Sequence, residues 1–396
     1  MNYSLLRSLR GHLRTTLIPA AAAGSFLLLV CTLASVAGAP PTLKDAFQRL
    51  FRIGAALHRA YYDGGDSAGA ALVAAQFNSI SPENDLKWQP IHPSAQSFNF
   101  DPADQYVEFG ERNHMFIIGH CLIWHNQTPH WVFEDDQGKE VGREELLRRM
   151  HDHIAAVVGR YKGRVNGWDV VNEALNDDGT LRRSQWQRII GDDYIAKAFE
   201  YAHQADPAAE LYYNEFSLEN EPKRKGAIEL IRKLLAAGIP VKAVGLQGHY
   251  DMEWPTVEQL DAAISALSAI GVKVNITELD IDVLPRVRRG NTAEVTAHAE
   301  SSAGTNPYTS GLPAEKQQEL AGRYAALFKV FLKHRADITR VTFWGVTDKS
   351  SWLNNWPARG RTNYPLLFDR EGKPKPAFDA VIAEARAALT GRGSQR

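Results

Sequence analysis

Short apolar segments alternate with longer amphipathic segments along nearly the whole chain, and this alternation most limits the fold. The apolar segments are typical of β-strands, and several are almost continuously apolar, as strands covered on both faces are. They are RIGAAL (52–57), FNSI (77–80), MFIIGH (115–120), VNGWDVV (165–171), ELYYNEF (210–216), VKAVGLQ (241–247), VKVNITELD (272–280) and RVTFWGV (340–346). Eight strands alternating with helices favour an α/β fold, a (β/α)8 TIM barrel, over an open doubly wound sheet.

The segment TVEQLDAAISALSAIG (256–271) illustrates the helices between these strands. Its apolar residues recur at spacings of three and four, which places them on one face of a helix. Thr256, followed three residues later by Gln259, predicts a capping box at the start, and Gly271 predicts the end. No glycine-rich phosphate fingerprint follows the first strand, which argues against a dinucleotide-binding fold.

The first 39 residues are interpreted as a secretory signal rather than as part of the fold. Basic residues precede an apolar run over 17–33 and the small-residue stretch ASVAGAP, so cleavage is expected at 37–39. The alternatives are an uncleaved membrane anchor or a lipid attached at Cys31. The signal predicts a secreted or periplasmic protein whose residues 40–396 form a single catalytic domain. Cys121 would then be its only cysteine, so no intramolecular disulfide could form.

The charge balance argues against two classes of partner. The 45 Lys and Arg residues against 46 Asp and Glu residues leave no electrostatic footprint for nucleic acid or an anionic membrane. Nine Trp, 13 Tyr and 16 Phe supply flat apolar surfaces for a large core and for stacking on sugar rings.

His151 and His153 are two residues apart on a predicted helix and do not share a face, so they are not expected to bind a metal together. We expect no cofactor and no metal, and a monomer that does not contact a membrane once mature.

Polar and aromatic side chains follow most of the predicted strands, where a barrel enzyme carries its active site. By strand they are Glu83, Asn84 and Lys87 (second); His120 and Trp124 (third); Asn172 and Glu173 (fourth); Gln247 and His249 (sixth); Glu278 and Asp280 (seventh); Trp344 and Trp352 (eighth). The ends of strands four and seven face each other across the mouth, so Glu173 and Glu278 form an opposed pair. Cleavage of a glycosidic bond requires such a pair, one carboxyl protonated and the other ionised. Asn172 could donate a hydrogen bond to a sugar 2-hydroxyl.

The motifs ENDLKW, GHCLIWH, WDVVNEA, LQGH, ITELD and FWGVTDKSSW occur in the order typical of glycoside hydrolase family 10, the endo-xylanase family. The chain resembles that family from the second strand to the eighth. The resemblance implies a retaining endo-β-1,4-xylanase on xylan or xylo-oligosaccharides, with Glu173 as general acid/base and Glu278 as nucleophile. It further implies that the glycone side of the cleft is lined by Glu83, Asn84, Lys87, His120, Trp124, Gln247, Trp344 and Trp352. Cys121 departs from the family, which usually has Thr there, and is expected to be an inert buried thiol.

The surroundings of the two glutamates suggest which is which. His249 and Asp280 are expected to flank Glu278 and to lower its pKa, as a nucleophile needs. Glu173 has fewer obvious donors beside it, which suits the protonated acid. A retaining mechanism predicts that the two carboxyl groups lie about 5–5.5 Å apart.

Two alternative functions are weighed against xylan hydrolysis. A related barrel glycosidase on glucan or mixed-linkage polymers is disfavoured by Glu83, Asn84 and Lys87. The resemblance assigns these residues to xylose hydroxyls in a site without room for a hydroxymethyl group. A non-catalytic carbohydrate-binding barrel typically lacks one catalytic carboxylate, whereas both are present here.

The long insertion at 285–313, between strands seven and eight, either shapes the cleft or is a solvated excursion.

Overall fold

The computed structural model describes residues 42–285 and 302–391, in which parallel strands close into a barrel surrounded by helices. The barrel strands are β1 Arg52–Leu57, β2 Ser79–Pro82, β3 Phe116–Ile123, β4 Gly167–Asn172, β5 Glu210–Glu215, β6 Ala243–Leu246, β7 Lys273–Asp282 and β8 Ile338–Phe343. Each pairs in parallel with the next, and β8 pairs with β1. A further short strand, His249–Asp251, pairs with the end of β7. The predicted (β/α)8 barrel is thereby confirmed.

One long helix follows each barrel strand. These helices are α1 Ser67–Gln76, α2 Asp101–Arg112, α3 Arg143–Arg160, α4 Tyr194–Ala205, α5 Glu221–Ala236, α6 Val257–Ser268, α7 Ala314–Lys333 and α8 Pro376–Leu389. Shorter α-helices span Leu43–Ala46, Trp88–Ile91 and Gln185–Ile190; 3-10 turns span Arg59–Tyr61, His130–Val132, Ala303–Thr305, Asp348–Ser350 and Trp352–Asn354. The predicted capping box of α6 is confirmed, because Thr256 and Gln259 exchange side-chain and backbone hydrogen bonds.

Most strands differ from their predicted bounds only at the ends. The second strand begins later than predicted and ends on Pro82. Proline has no N–H to donate to a neighbouring strand, so it is tolerated at a strand end. The third continues to Ile123, three residues beyond the predicted His120. The eighth stops at Phe343, because Gly345 two residues later has a φ of 136° and turns the chain away.

Two strand glycines make room for buried side chains on neighbouring strands. A Cβ atom on Gly119 would lie 2.1 Å from the ring of Trp168. A Cβ atom on Gly245 would lie 2.2 Å from Oδ1 of Asn214. The glycine in β6 therefore lets a buried amide on β5 extend over the barrel axis, near the residues expected to carry chemistry.

Two predicted segments lie partly or wholly outside the described residues: the secretory signal at 1–39 and the middle of the insertion, 286–301. The described end of the insertion is bound to the loop after β8. Asn306 accepts a hydrogen bond from the backbone N–H of Thr362 (2.9 Å), and Tyr364 donates its hydroxyl to the carbonyl of Tyr308 (2.6 Å). Of the helices in the described ranges, none combines the length and apolarity needed to span a bilayer.

Candidate active site

The predicted strand-end residues gather at the carboxyl end of the barrel. Backbone hydrogen bonds set their order: the N–H of Glu173 donates to the carbonyl of Asn214 (2.9 Å), and that of Glu278 donates to the carbonyl of Gln247 (2.6 Å). Because neighbouring parallel strands end at the same rim, these bonds bring side chains from β4, β5, β6 and β7 onto one surface.

Glu278 is buried and held by donors on both carboxylate oxygens. Asn214 donates its amide to Oε1 at 2.7 Å, and Nε2 of His249 lies 3.1 Å from Oε2. Burial alone would raise the pKa of Glu278, but the hydrogen bond and positive charge of His249 outweigh it, and the pKa is lowered. The expected direction for this carboxyl is confirmed, and Glu278 suits the ionised partner.

His249 is in turn held between two carboxylates. Its Nδ1 lies 2.9 Å from Oδ1 of Asp280, whose other oxygen accepts a 2.7 Å hydrogen bond from the indole of Trp352. Burial would lower the pKa of His249, but Asp280 and Glu278 raise it to about 10. Burial also works against ionisation of Asp280, yet donors occupy both of its oxygens. We therefore take the pair as imidazolium and carboxylate, with both ring nitrogens donating.

Glu173 has different surroundings. Its Oε1 accepts from the amide of Gln247 at 2.9 Å and its Oε2 from the indole of Trp124 at 2.8 Å. The sequence suggested few donors near this carboxyl; there are two, and both are uncharged. The backbone of Glu173 is left-handed (φ 58°), which is costly for a residue with a side chain and is typical of functional sites.

Three amide side chains connect the two glutamates. Asn172 accepts from Asn214 at 2.9 Å and from Gln247 at 3.3 Å, and these two donors also bind Glu278 and Glu173, respectively. Both bonds occupy Oδ1 of Asn172, so its amide nitrogen is oriented as a donor. A continuous set of hydrogen bonds therefore sets the positions of the two carboxyls relative to each other.

Asn214 is a residue that the sequence analysis missed. It stands at the end of β5, between Tyr213 and Glu215, and its side chain is fully buried. Of the eight predicted strands, only the first and the fifth have no predicted site residue at their carboxyl ends. Applying the strand-end rule there as well would have found it.

The loop after β2 carries the predicted Glu83, Asn84 and Lys87. Nζ of Lys87 donates to Oδ1 of Asn84 at 3.0 Å and lies 5.0 Å from the ring centroid of Trp124, which connects this loop to Glu173. Burial raises the pKa of Glu83, and the charge of Lys87 opposes the rise. Asp85 anchors the loop, since it accepts from Arg59 and Tyr62 on the neighbouring loop.

Aromatic residues form a further part of the predicted site. His120 is bonded to Asp169 (2.9 Å), and its ring centroid lies 5.3 Å from that of Trp344. The ring of His249 lies 6.2 Å from Trp344 and 4.9 Å from Trp352. With these contacts, every sequence-predicted site residue belongs to one connected group.

Two further groups bear on what chemistry the site supports. Cys121 is a free thiol, and burial raises its pKa well above the usual value, so it is poorly suited to act as a nucleophile. In residues 42–285 and 302–391, no three His, Cys, Asp or Glu side chains are grouped so as to hold a metal ion. The titratable groups available at the barrel mouth are therefore carboxyls, imidazoles and Lys87.

Comparisons with known proteins agree with this geometry. The family model described as Glycosyl hydrolase family 10 matches residues 42–384. The chain is 44% identical to Endo-1,4-beta-xylanase A of Xylanibacter ruminicola over 355 residues, 90% of this chain and 96% of that protein. It is 41% identical to Endo-1,4-beta-xylanase of Geobacillus stearothermophilus over 345 residues, 86% and 98% of the two.

Solved structures are similar as well. A GH10 endoxylanase retrieved from a sugarcane soil metagenome superimposes with a TM-score of 0.84 at 46% identity, covering 86% of this chain and 99% of that one. A mutant enzyme in complex with xylotriose gives a TM-score of 0.77 at 37% identity, covering 87% and 99%. The chain is a glycoside hydrolase and belongs to glycosyl hydrolase family 10.

Proposed function

We propose that this protein is a retaining endo-β-1,4-xylanase that cleaves xylan through a covalent glycosyl-enzyme on Glu278. The observation that carries the proposal is the difference between the two carboxyls. Glu278 is held by the cationic His249, and Glu173 is held by uncharged donors only. The names of the relatives, endo-1,4-beta-xylanases from several bacteria, support the choice of xylan as substrate.

In the first step, a carboxylate oxygen of Glu278 attacks the anomeric carbon of a xylose unit. The bond from that carbon to the leaving oxygen breaks, and Glu173 transfers its proton to this oxygen. Asn172, with Oδ1 already occupied, presents its amide nitrogen to the sugar 2-hydroxyl, a contact that strengthens as the oxocarbenium-like transition state forms.

In the second step, water attacks the same carbon and gives a proton to Glu173, now a carboxylate. The bond to Glu278 breaks, and the new hydroxyl has the configuration of the original linkage. His249 keeps its bond to Asp280 throughout. Its imidazolium is therefore in place to stabilise the negative charge that returns to Glu278.

Two variants and one control test the proposed roles. Glu278→Ala should lose about five orders of magnitude or more in activity, as deletion of a nucleophile does elsewhere. Glu173→Ala should accept azide on an activated aryl xylobioside and give a glycosyl azide of retained configuration, read by NMR. The exposed Glu253→Ala should behave as wild type. Near-normal turnover by Glu278→Ala, or an inverted product from the wild type, would contradict the mechanism.

The substrate is tested separately. We expect the wild type to release reducing ends from xylan far faster than from carboxymethyl cellulose. The family resemblance assigns Glu83, Asn84 and Lys87 to contacts with xylose hydroxyls, and Lys87 is held in place by its hydrogen bond to Asn84. Equal rates on the two polymers would favour a glucan or mixed-linkage glycosidase instead.

We further propose that residues 1–39 direct export and that the mature enzyme works outside the cytoplasm. The basic, apolar and small-residue regions of this segment support the idea. N-terminal sequencing of the protein from a culture medium or periplasmic fraction should find a start at residue 40. An intact N-terminus in the membrane fraction would instead indicate an uncleaved anchor.

A further inference from the structure

The segment that carries Glu173 is held by contacts outside the reaction centre. The left-handed backbone of Glu173 must be stabilised by its neighbours, because nothing in its own conformation favours it. Nε of Arg182 donates to the carbonyl of Glu173 at 3.1 Å, and Nη2 of Arg182 donates to the carbonyl of Leu175 at 2.9 Å. Arg182 thus binds the outer side of the segment.

A second carboxylate, Glu215, binds the inner side. Its Oε2 accepts from the backbone N–H of Leu175 at 3.0 Å and from the hydroxyl of Tyr213 at 2.7 Å. Its Oε1 accepts from the N–H of Phe216 at 3.2 Å and lies 3.0 Å from Nζ of Lys223. The carboxyl is fully buried at the end of β5, and Leu175 is only two residues beyond Glu173.

Lys223 is as unusual as its partner, because its side chain is also fully buried. Besides Glu215, its ammonium contacts the ring of Phe216 (3.1 Å to the centroid) and lies 3.5 Å from the carboxylate of Asp177. It stands in the first turn of α5, so it connects that helix to the segment following Glu173 directly at Asp177 and indirectly through Glu215.

A buried ion pair is weak evidence for stability, since well-packed apolar residues often stabilise a fold as much. What the pair does provide is a fixed geometry, because a carboxylate that accepts three hydrogen bonds and contacts one ammonium restricts where each of these groups can lie. One of those donors is the backbone N–H of Leu175, two residues after Glu173, which is proposed to protonate the leaving group. Displacement of such a group by about 1 Å can lower a rate roughly 100-fold.

We propose that Glu215 and Lys223 are positioning residues for the proposed general acid, holding segment 173–177 so that the Glu173 carboxyl points at the leaving oxygen. They contact neither the substrate nor the reacting atoms in this scheme. The inference rests on the proposed role of Glu173 as the acid.

The test uses two substrates that differ in their need for an acid. Xylotetraose has a poor leaving group and needs the proton of Glu173, whereas 2,4-dinitrophenyl xylobioside needs none in the first step. We expect Lys223→Met to lower kcat/KM on xylotetraose roughly 10- to 100-fold. On the dinitrophenyl substrate, kcat/KM should change less than about 3-fold.

The matched control is Lys225→Met, which removes an exposed lysine of the same helix whose partner is Glu221. It should leave kcat/KM on both substrates unchanged. If Lys223→Met does not fold, Glu215→Gln decides, because its single amide oxygen cannot serve both Leu175 and Lys223, and the same substrate pattern is expected. Equal losses on both substrates, or no loss on either, would overturn the proposal.

Measuring Glu173→Ala on the same two substrates distinguishes a failure of the positioning role from a failure of the acid assignment. A leaving-group-dependent loss in Glu173→Ala without one in the Lys223 and Glu215 variants would refute the positioning role alone. No such dependence in Glu173→Ala would refute the acid assignment, and the positioning role with it.

Discussion

Replacing Asn214 by Ala should raise the pKa of Glu278, the proposed nucleophile. Asn214 donates at 2.7 Å to Glu278 and at 2.9 Å to Asn172, and it accepts from Thr277 at 2.6 Å. Its side chain is fully buried and fits only because Gly245 has no Cβ. No water-exposed group stands ready to take its place.

The size of the effect follows from the bond that is lost. A hydrogen bond to a charged group contributes about 1.5–3 kcal/mol. A protonated Glu278 would keep part of such a bond, so we take about 1.4 kcal/mol as the difference between the two protonation states. That corresponds to about one pKa unit. The pKa of Glu278 lies below its usual value in the wild type and should therefore rise by about one unit in Asn214→Ala.

The assay is the pH dependence of kcat/KM on xylotetraose, whose acidic limb reports ionisation of the nucleophile in the free enzyme. Asn275→Ala is the matched control, because Asn275 is also a fully buried amide on the barrel but is bonded to Thr339, away from the glutamates. Both variants should be less stable, and only Asn214→Ala should move the limb. An unmoved limb in Asn214→Ala would refute the reasoning.

Three further predictions concern stability. The pKa of His249 is raised to about 10 in the fold, above the 6.5 of a free imidazole, so its stabilising contribution is complete below pH 6.5 and lost as the pH rises to 10. Calorimetry between these pH values should show a steeper loss of stability in the wild type than in His249→Gln. Equal slopes would contradict this. Gly245→Ala should lower both the melting temperature and activity, because the added methyl group displaces Asn214; a variant with wild-type kcat/KM would be evidence against it. Arg361→Ala should cost about 2–3 kcal/mol in denaturant unfolding, since it leaves the mostly buried Asp282 without its cation; a loss below about 0.5 kcal/mol would mean that the pair is solvent-screened.

The sequence was informative wherever a local rule decides the outcome. The alternation of strands and helices predicts the barrel, and the strand-end rule places Glu173 and Glu278 at its mouth. The capping box at Thr256 is a local contact within one turn, so four residues suffice to predict it. For each single strand, strand end and helix cap, the physical cause lies within a few positions of the chain.

The rest depends on contacts between distant segments. Spacing shows which residues reach the mouth, but it cannot show that Oδ1 of Asn172 is occupied by Asn214 and Gln247. Likewise, Glu215 and Lys223 look like an ordinary strand-end acid and a helix-start lysine. Their meaning appears only when the segment after Glu173 packs against both.

The same contacts suit the two glutamates at the barrel mouth to the opposite tasks proposed for them. Glu278 is bound by a cation that Asp280 keeps charged, so its ionised form is favoured despite burial. Glu173 is bound by the amide of Gln247 and the indole of Trp124, which orient it without compensating a charge. In the proposed mechanism, Glu173 gives its proton to the leaving oxygen while the ionised Glu278 attacks the sugar. Once Glu278 is bonded to the sugar, Glu173 has already lost its proton to the leaving group and serves as the base that accepts a proton from the attacking water.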